Sequence, residues 1–443
     1  MNKKLLVGLV PIVAILAACS PAIATPPSVE PPPAATAAVA SSPTAPPTPT
    51  ALPISTPAPT VAAVPSPTSA PSPTLTVPPP TTSTPLVQPT RTPTPPARGA
   101  VVSVDVVAKG LDTPWAIDFA PDGRIFVSER PGRVRVIRDG RLDPAPWIAL
   151  DVVEQGESGL MGLALDPQFA RNGYVYVAYT YRAGDGRLLD RLARLRDDPA
   201  TGRGVLDRVL WDDVPAGNIH DGGRVRFGPD GKLYWTLGEV GNAALAQDTS
   251  SLNGKILRLN PDGTAPADNP FPGSPVYSYG HRNPQGLAWQ PGTGRLYATE
   301  HGPSGGLQGC CRDEVNLIEP GRNYGWPVIA GGQTRAGMES PVLSSGDTVT
   351  WAPGGATFVT RGPWAGSLLF TGLRGQALYR LTLDSRDPRK ALGLESLFEG
   401  RYGRLRDVAE GPDGALYVLT SNRDGRGSPS ADDDRVLRLT FGD

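Results

Sequence analysis

From Val101 onward apolar and polar residues alternate in short runs, and one phrase keeps returning. An apolar pair leads into a turn built on Pro-Asp-Gly or a relative, and a Leu/Ile/Val-Tyr/Phe-Val run leads out. The first copy runs from Ile117 to Val127 around Pro121-Asp122-Gly123. The second runs from Leu163 to Val177 around Asp166-Pro167, with Asn172-Gly173 at a second bend, and the third from Val225 to Trp235 around Pro229-Asp230-Gly231. Then come Leu287 to Tyr297 around Pro291-Gly292, a degenerate copy from Thr357 to Phe370 with Pro363-Trp364-Ala365-Gly366 at its bend, and Val408 to Val418 around Pro412-Asp413-Gly414. Alternation on either side of a Gly-containing turn is the signature of a β-hairpin. Copies spaced about 45 to 75 residues apart leave room for a four-stranded sheet and a functional loop in each repeat. Six such sheets set radially bury their faces on one another and leave short, protected edges. The pattern predicts an all-β, six-bladed β-propeller over residues 99–443, with helix scarce because no stretch has a period of 3.6. Val101 to Val107 and Arg435 to Phe441 are both strand-like, and their pairing within one blade would close the ring.

The chain before residue 99 follows other rules. Lys3 and Lys4 precede an apolar run from Leu5 to Leu16, then Leu16-Ala17-Ala18-Cys19. This describes a secretory signal over residues 1–19, too short for a comfortable membrane span. A cysteine directly after small residues resembles a bacterial lipobox. Lipid on Cys19 would tether the exported protein to a membrane surface without spanning it. The expected location is the outer side of the cytoplasmic membrane, the periplasm or the outer membrane. Residues 20–98 are almost wholly Pro, Thr, Ala and Ser, without an aromatic residue and with about half of the chain's 51 prolines. Such a segment cannot bury enough apolar surface to offset its ordering entropy and is expected to be disordered. As a proline-rich spacer its reach is on the order of 200 Å.

A formal net charge of −1 argues against a general nucleic-acid binder. Beyond Cys19 the only cysteines are the neighbours Cys310 and Cys311. They cannot staple distant elements, and both a vicinal disulfide and a pair of free thiols remain open. The three histidines, His220, His281 and His301, each lie within two residues of a glycine at the end of an apolar run. Imidazole suits proton transfer near neutral pH. Any one of them reads equally well as a turn cap, but three in a repeating all-β pattern favour convergence on one pocket.

Several motifs together resemble a known family. They are Gly110-Leu111-Asp112-Thr113-Pro114-Trp115, Glu129-Arg130-Pro131-Gly132, Gly159-Leu160-Met161-Gly162-Leu163-Ala164 and His220-Asp221-Gly222-Gly223-Arg224. To these are added Ser278-Tyr279-Gly280-His281-Arg282-Asn283-Pro284-Gln285-Gly286, Glu300-His301-Gly302-Pro303, Asn323-Tyr324-Gly325-Trp326-Pro327 and Arg404-Leu405-Arg406-Asp407-Val408. In combination they are similar to the soluble pyrroloquinoline-quinone (PQQ)-dependent glucose/sorbosone dehydrogenases, in the aldose sugar dehydrogenase branch. The resemblance covers nearly all of Val101 to Phe441.

It implies oxidation of an aldose at C1 to the lactone, with hydride passing to PQQ and electrons to an external acceptor. His220 would be the base for the C1 hydroxyl. Arg282 and Asn283 resemble the pair that contacts the quinone oxygens, with Arg282 stabilising charge on the reduced ring. Arg404, Arg406 and Arg374 fall where the family places cations against the cofactor's carboxylates, a task that suits arginine. Glu157 stands where relatives often carry glutamine beside cofactor and sugar; a carboxylate there would repel the cofactor unless protonated or turned toward the sugar. Gly302 and Pro303 match the turn whose carbonyls hold a calcium ion bridging protein and cofactor. Asp313, Glu314 and the carbonyl of Tyr324 resemble a second, structural calcium site, although the loop Ser304 to Arg312 is longer than the branch usually has. Two other classes compete: a non-catalytic extracellular propeller, and a calcium-dependent lactonase-type hydrolase built on a central cage of Asp, Glu and Asn.

Overall fold

The computed structural model describes residues 101–305 and 309–441; the proposed signal, Cys19 and the linker over 20–98 lie outside them. Each predicted hairpin forms the first two strands of a blade. The first blade runs Pro114–Phe119, Ile125–Glu129, Arg133–Arg138 and Arg141–Leu142, with Ile148–Ala149 also paired to its third strand. The second is Leu160–Leu165, Tyr174–Arg182, Leu188–Asp198 and Arg203–Pro215, and the third Val225–Phe227, Leu233–Leu237, Lys255–Leu259 and Val276–Tyr279. The fourth is Pro284–Trp289, Leu296–Glu300, Glu314–Ile318 and Leu343–Ser344, and the fifth Pro353–Phe358, Leu368–Gly372, Ala377–Leu383 and Ala391–Leu397. The sixth is Leu405–Glu410, Leu416–Thr420 and Val436–Phe441, completed by Val101–Ala108 from the other end of the domain. That last pairing is antiparallel, with Val104 opposite Leu439 and Val106 opposite Leu437. The ring is closed as the two strand-like ends predicted. The architecture is a six-bladed β-propeller, in which a four-residue α-helix, Phe169–Asn172, occupies the bend of the second copy.

The core consists of apolar layers, one between each pair of neighbouring blades. Trp115, Phe126 and Val134 of the first blade meet Leu163, Val175 and Leu195 of the second. The same arrangement continues around the ring, ending where Ala409, Tyr417 and Leu419 of the sixth blade meet Ile117 and Val127 of the first. Period-two alternation explains why both faces of the inner strands are apolar: each face packs on a different neighbour.

The first strands surround the axis, where apolar packing gives way to charge. Arg224 is fully buried. Its Nη1 lies 3.0 Å from Asp407 Oδ2, its Nε donates to the Gln285 carbonyl at 2.8 Å, and its guanidinium carbon lies 4.2 Å from the centre of the Trp115 ring. Asp407 also accepts from the backbone N–H of Ile117 and lies 3.7 Å from Arg226. On the fifth blade Gly355 is obligatory, because a Cβ there would stand 1.6 Å from Asp407 Oδ1. Burial drives the Arg224 guanidinium down to about 10 against the pull of Asp407, so it stays charged. Removing one member of a buried pair strands the other. Asp407→Ala is therefore expected to lower unfolding stability by roughly 3–5 kcal/mol, read as a fall in the urea midpoint; an unchanged midpoint would overturn the axial role.

Candidate active site

At one end of the axis, loops from all blades surround a cavity of about 420 Å³. Its wall includes Trp115, Glu157, Ile219, His220, Arg282, Gln285, His301, Gly302, Pro303, Asp313, Arg374, Arg404, Arg406 and Arg426. A hollow of about 520 Å³ elsewhere, between the first two blades, has its buried cation Arg124 already paired with Asp122 and Asp197. The axial cavity differs in holding buried cations, Arg282 and Arg406, without carboxylate partners among the described residues.

His220 sits in the loop leading into Val225–Phe227, with φ of +60°. Left-handed backbone is uncommon outside glycine and concentrates at functional sites. The bend presses the His220 carbonyl against Gly238, where a Cβ would stand only 1.8 Å away. The next residue, Glu239, places Oε1 2.7 Å from His220 Nδ1. With Glu239 as carboxylate, Nδ1 donates and Nε2 carries the lone pair of a ring that lines the cavity. No partner occupies Nε2 among the described residues.

Glu157 supports the same histidine from the second blade. Its Oε2 accepts the backbone N–H of His220 at 3.0 Å and the Asn283 amide at 3.3 Å, while Oε1 lies 2.8 Å from Arg426 Nη1. Burial alone would raise the Glu157 carboxyl. The Arg426 ion pair and the His220 N–H oppose it and hold the carboxyl below its usual range. Glu157 is thus ionised, neither protonated nor unpaired. Burial drives His301 down to about 3, so its ring is neutral, with Nε2 donating to the Pro353 carbonyl at 2.9 Å.

The arginines differ in how far the protein satisfies them. Arg404 brings Nε and Nη2 to one oxygen of Asp424, Oδ2, at 2.8 and 2.7 Å. Arg406 has 7 % of its surface exposed, donates Nη1 to Gln285 Oε1 at 2.6 Å and leaves Nε without a partner. Its guanidinium stands 5.6 Å from the Trp115 ring, and burial pushes it down to about 9. Arg282 donates to the His301 carbonyl and stands over Trp326, again with no carboxylate within an ion-pair distance. Arg374 is exposed, and its guanidinium has no partner among the described residues.

Other expected members are placed differently. His281 does not reach the cavity: it is fully buried, bonded to Glu300 and Ser278 at 2.8 Å each and stacked on Tyr324. Two of the three histidines therefore converge, not three. Asn283 lies behind the wall, spent on Glu157 and on the N–H of Gly222. Asp313 and Glu314 do not share a site, because successive residues entering a strand point to opposite sides. Asp313 lines the main cavity with its carboxylate filled by the N–H groups of Gly302, Trp351 and Ala352, at 2.6–2.9 Å. Glu314 faces a smaller hollow shared with Glu300, Gly302, Pro303 and Tyr324. Burial and the neighbouring Glu300 push Glu314 up to about 8. Cys310 and Cys311 are joined as a vicinal disulfide, with Cys310 at the cavity wall. Among the described residues no three His, Cys, Asp or Glu side chains are grouped to hold a metal by themselves.

Comparison with known proteins gives this geometry its context. The profile of the family described as Glucose / Sorbosone dehydrogenase matches residues 111–430. The chain belongs to the glucose/sorbosone dehydrogenase family. Within it, the chain is 40 % identical to the aldose sugar dehydrogenase of Streptomyces coelicolor, whose structure was solved in a PQQ-bound form; the match covers 79 % of this chain and 100 % of that one, with a TM-score of 0.69. It is 34 % identical to the aldose sugar dehydrogenase YliI of Escherichia coli (strain K12), over 74 % of this chain and 92 % of that protein. It is 34 % identical to the quinoprotein glucose dehydrogenase B of Acinetobacter calcoaceticus, over 51 % of this chain and 52 % of that protein.

Behind His220 the family propeller here carries two buried carboxyls. Asp221 accepts from the Gly217 N–H and Asp190 from the Thr180 hydroxyl, and each leaves its second oxygen unpartnered. Burial raises both, Asp190 to about 7. An acid whose pKa is raised by folding adds most stability below its unfolded pKa, about 4, and loses that advantage as pH rises through its folded value. Asp190→Asn is therefore expected to gain in urea midpoint over wild type as pH goes from 4 to 7. A gap between the two proteins that stays constant over that range would refute the neutral carboxyl.

Proposed function

We propose that this propeller oxidises aldose sugars at C1 to the lactone, using PQQ with calcium and passing electrons to an external acceptor. The observation that carries the reading is one cavity holding a carboxylate-oriented imidazole beside arginines with no carboxylate partner. PQQ is an orthoquinone bearing several carboxylates, and the donor set fits it. The unpartnered Nε of Arg406 and the free guanidinium of Arg374 are suited to carboxylates, with Arg404 beside them and Arg282 suited to a quinone oxygen. When bound, PQQ supplies the hydride acceptor.

The protein's own part is acid–base and electrostatic. His220 Nε2 takes the C1 hydroxyl proton as the hydride leaves, which raises the hydride-donating power of the carbon. The imidazolium so formed is stabilised by Glu239 across its 2.7 Å hydrogen bond. Arg282 and Arg406 are held in place before reaction by His301, Trp326, Gln285 and Trp115, so their charge needs no reorganisation when negative charge develops. The lactonase-type reading lacks its donors at the axis, which is occupied by Arg224, Asp407 and Trp115.

Calcium prefers hard oxygen donors, including backbone carbonyls. The hollow bounded by Glu300, Glu314, Gly302, Pro303 and Tyr324 fits that preference, since two buried carboxyls face it and a cation would offset their repulsion. Glu314 and the carbonyls of Tyr324, Gly302 and Pro303 would hold calcium there or at the cavity wall. Asp313 faces the main cavity rather than this hollow and would not reach calcium placed there.

His220→Gln is expected to retain fold and cofactor binding while turnover falls about 10²- to 10⁴-fold, the usual range for a general base. Wild-type turnover at saturating PQQ and sugar would sink the mechanism. Calcium added to the chelated wild-type protein is expected to raise its thermal midpoint, as any ligand that binds only the native state does, and Glu314→Gln should abolish the rise. An equal rise in both proteins would remove Glu314 from the ligand set.

A further inference from the structure

The loop between Leu416–Thr420 and Val436–Phe441 is placed across the cavity by charge rather than by apolar packing. Asn422 Oδ1 accepts the N–H of Arg404, and Gly427 lies so close to Asn422 and Arg404 that a Cβ there would meet both. Asp424 binds the Arg404 guanidinium through Oδ2 and accepts the backbone N–H of Arg426 through Oδ1, at 2.9 Å. Arg426 then reaches Glu157 on the far side, 269 positions away in the chain, at 2.8 Å. Cation and anion alternate along Arg404, Asp424, Arg426 and Glu157, and the chain ends on the N–H of His220.

We propose that Arg426 is a positioning residue whose charge cancels that of Glu157, so that a wall containing a carboxylate still admits an anionic cofactor. The inference rests on the function proposed above. The Arg426 side chain is 52 % exposed and that of Glu157 17 % exposed. A pair so open on one side contributes little to stability. Its effect falls on the cavity instead, because an ionised Glu157 left alone would face the cofactor carboxylates across the same wall that Arg282 and Arg406 line. The pairing accounts for a carboxylate in the wall of a cavity suited to an anionic cofactor.

The test is a double-mutant cycle on the full chain, with PQQ binding to calcium-loaded apoprotein followed by fluorescence quenching, independently of turnover. Arg426→Ala is expected to weaken PQQ binding by about tenfold or more, as expected when one partner of a charge pair is removed at a binding surface. Glu157→Gln should bind at least as tightly as wild type, and Arg426→Ala combined with Glu157→Gln should recover most of the lost affinity. Undiminished binding by Arg426→Ala, or a double variant as weak as Arg426→Ala, would overturn the proposal while leaving the cofactor assignment intact. Wild-type protein that binds no PQQ would overturn both.

Discussion

Charge buried at the propeller axis is the constraint on which the remaining structure depends. Arg224 has no route to water, so Asp407, the Gln285 carbonyl and the Trp115 face must all stand within reach of it. Those three come from the sixth, fourth and first blades, and Arg224 itself leads into the third. A pair taken so completely out of water does little for net stability compared with a well-packed apolar substitute. What it does here is hold four blades in one relation, because each group needs its partner at hydrogen-bond distance.

The same geometry sets the floor of the cavity. Arg406 precedes Asp407 on one strand and points the other way, so the residue that closes the axis is adjacent to one that lines the site. Trp115 lies between them, with Arg224 at 4.2 Å and Arg406 at 5.6 Å from its ring centre. Above that floor, satisfied and unsatisfied charges are separated. Arg404 and Glu157 are paired with Asp424 and Arg426, whereas Arg282, Arg374 and Arg406 have no carboxylate partner among the described residues. The cavity therefore keeps a cationic surplus in a protein whose formal net charge is −1. His220 is held at its edge by Glu239 and by a backbone bend that needs glycine at position 238.

Much of this was legible before any coordinates. Six turn-centred repeats with period-two alternation leave few alternatives to radial sheets, and the strand-like ends at Val101 and Phe441 predicted the closure that joins them. The cavity residues His220, Glu157, Arg282, Arg374, Arg404 and Arg406 carried motif signals strong enough to be named. Glu239 gives a weaker one, an acid set between Gly238 and Gly241 at a strand end, and nothing in the sequence pairs it with His220. Arg426 gave none, because one arginine in a Gly- and Asp-rich loop looks like any solvated charge. His281, Asn283 and Asp313 were misplaced for a shared reason: a motif states that a residue is near a turn, not which way its side chain faces.

Local sequence determined the strands, the turns, the number of blades and the identity of most chemically useful side chains, because alternation and turn chemistry act over a few neighbouring residues. Pairing across blades was decided only by the tertiary structure. Glu157 is ionised because Arg426, from another blade, lies 2.8 Å away, and Asp313 and Glu314 part company because a strand sends neighbours to opposite faces. Electrostatic energy depends on distance through space and on burial, and neither quantity is written in the order of residues along the chain.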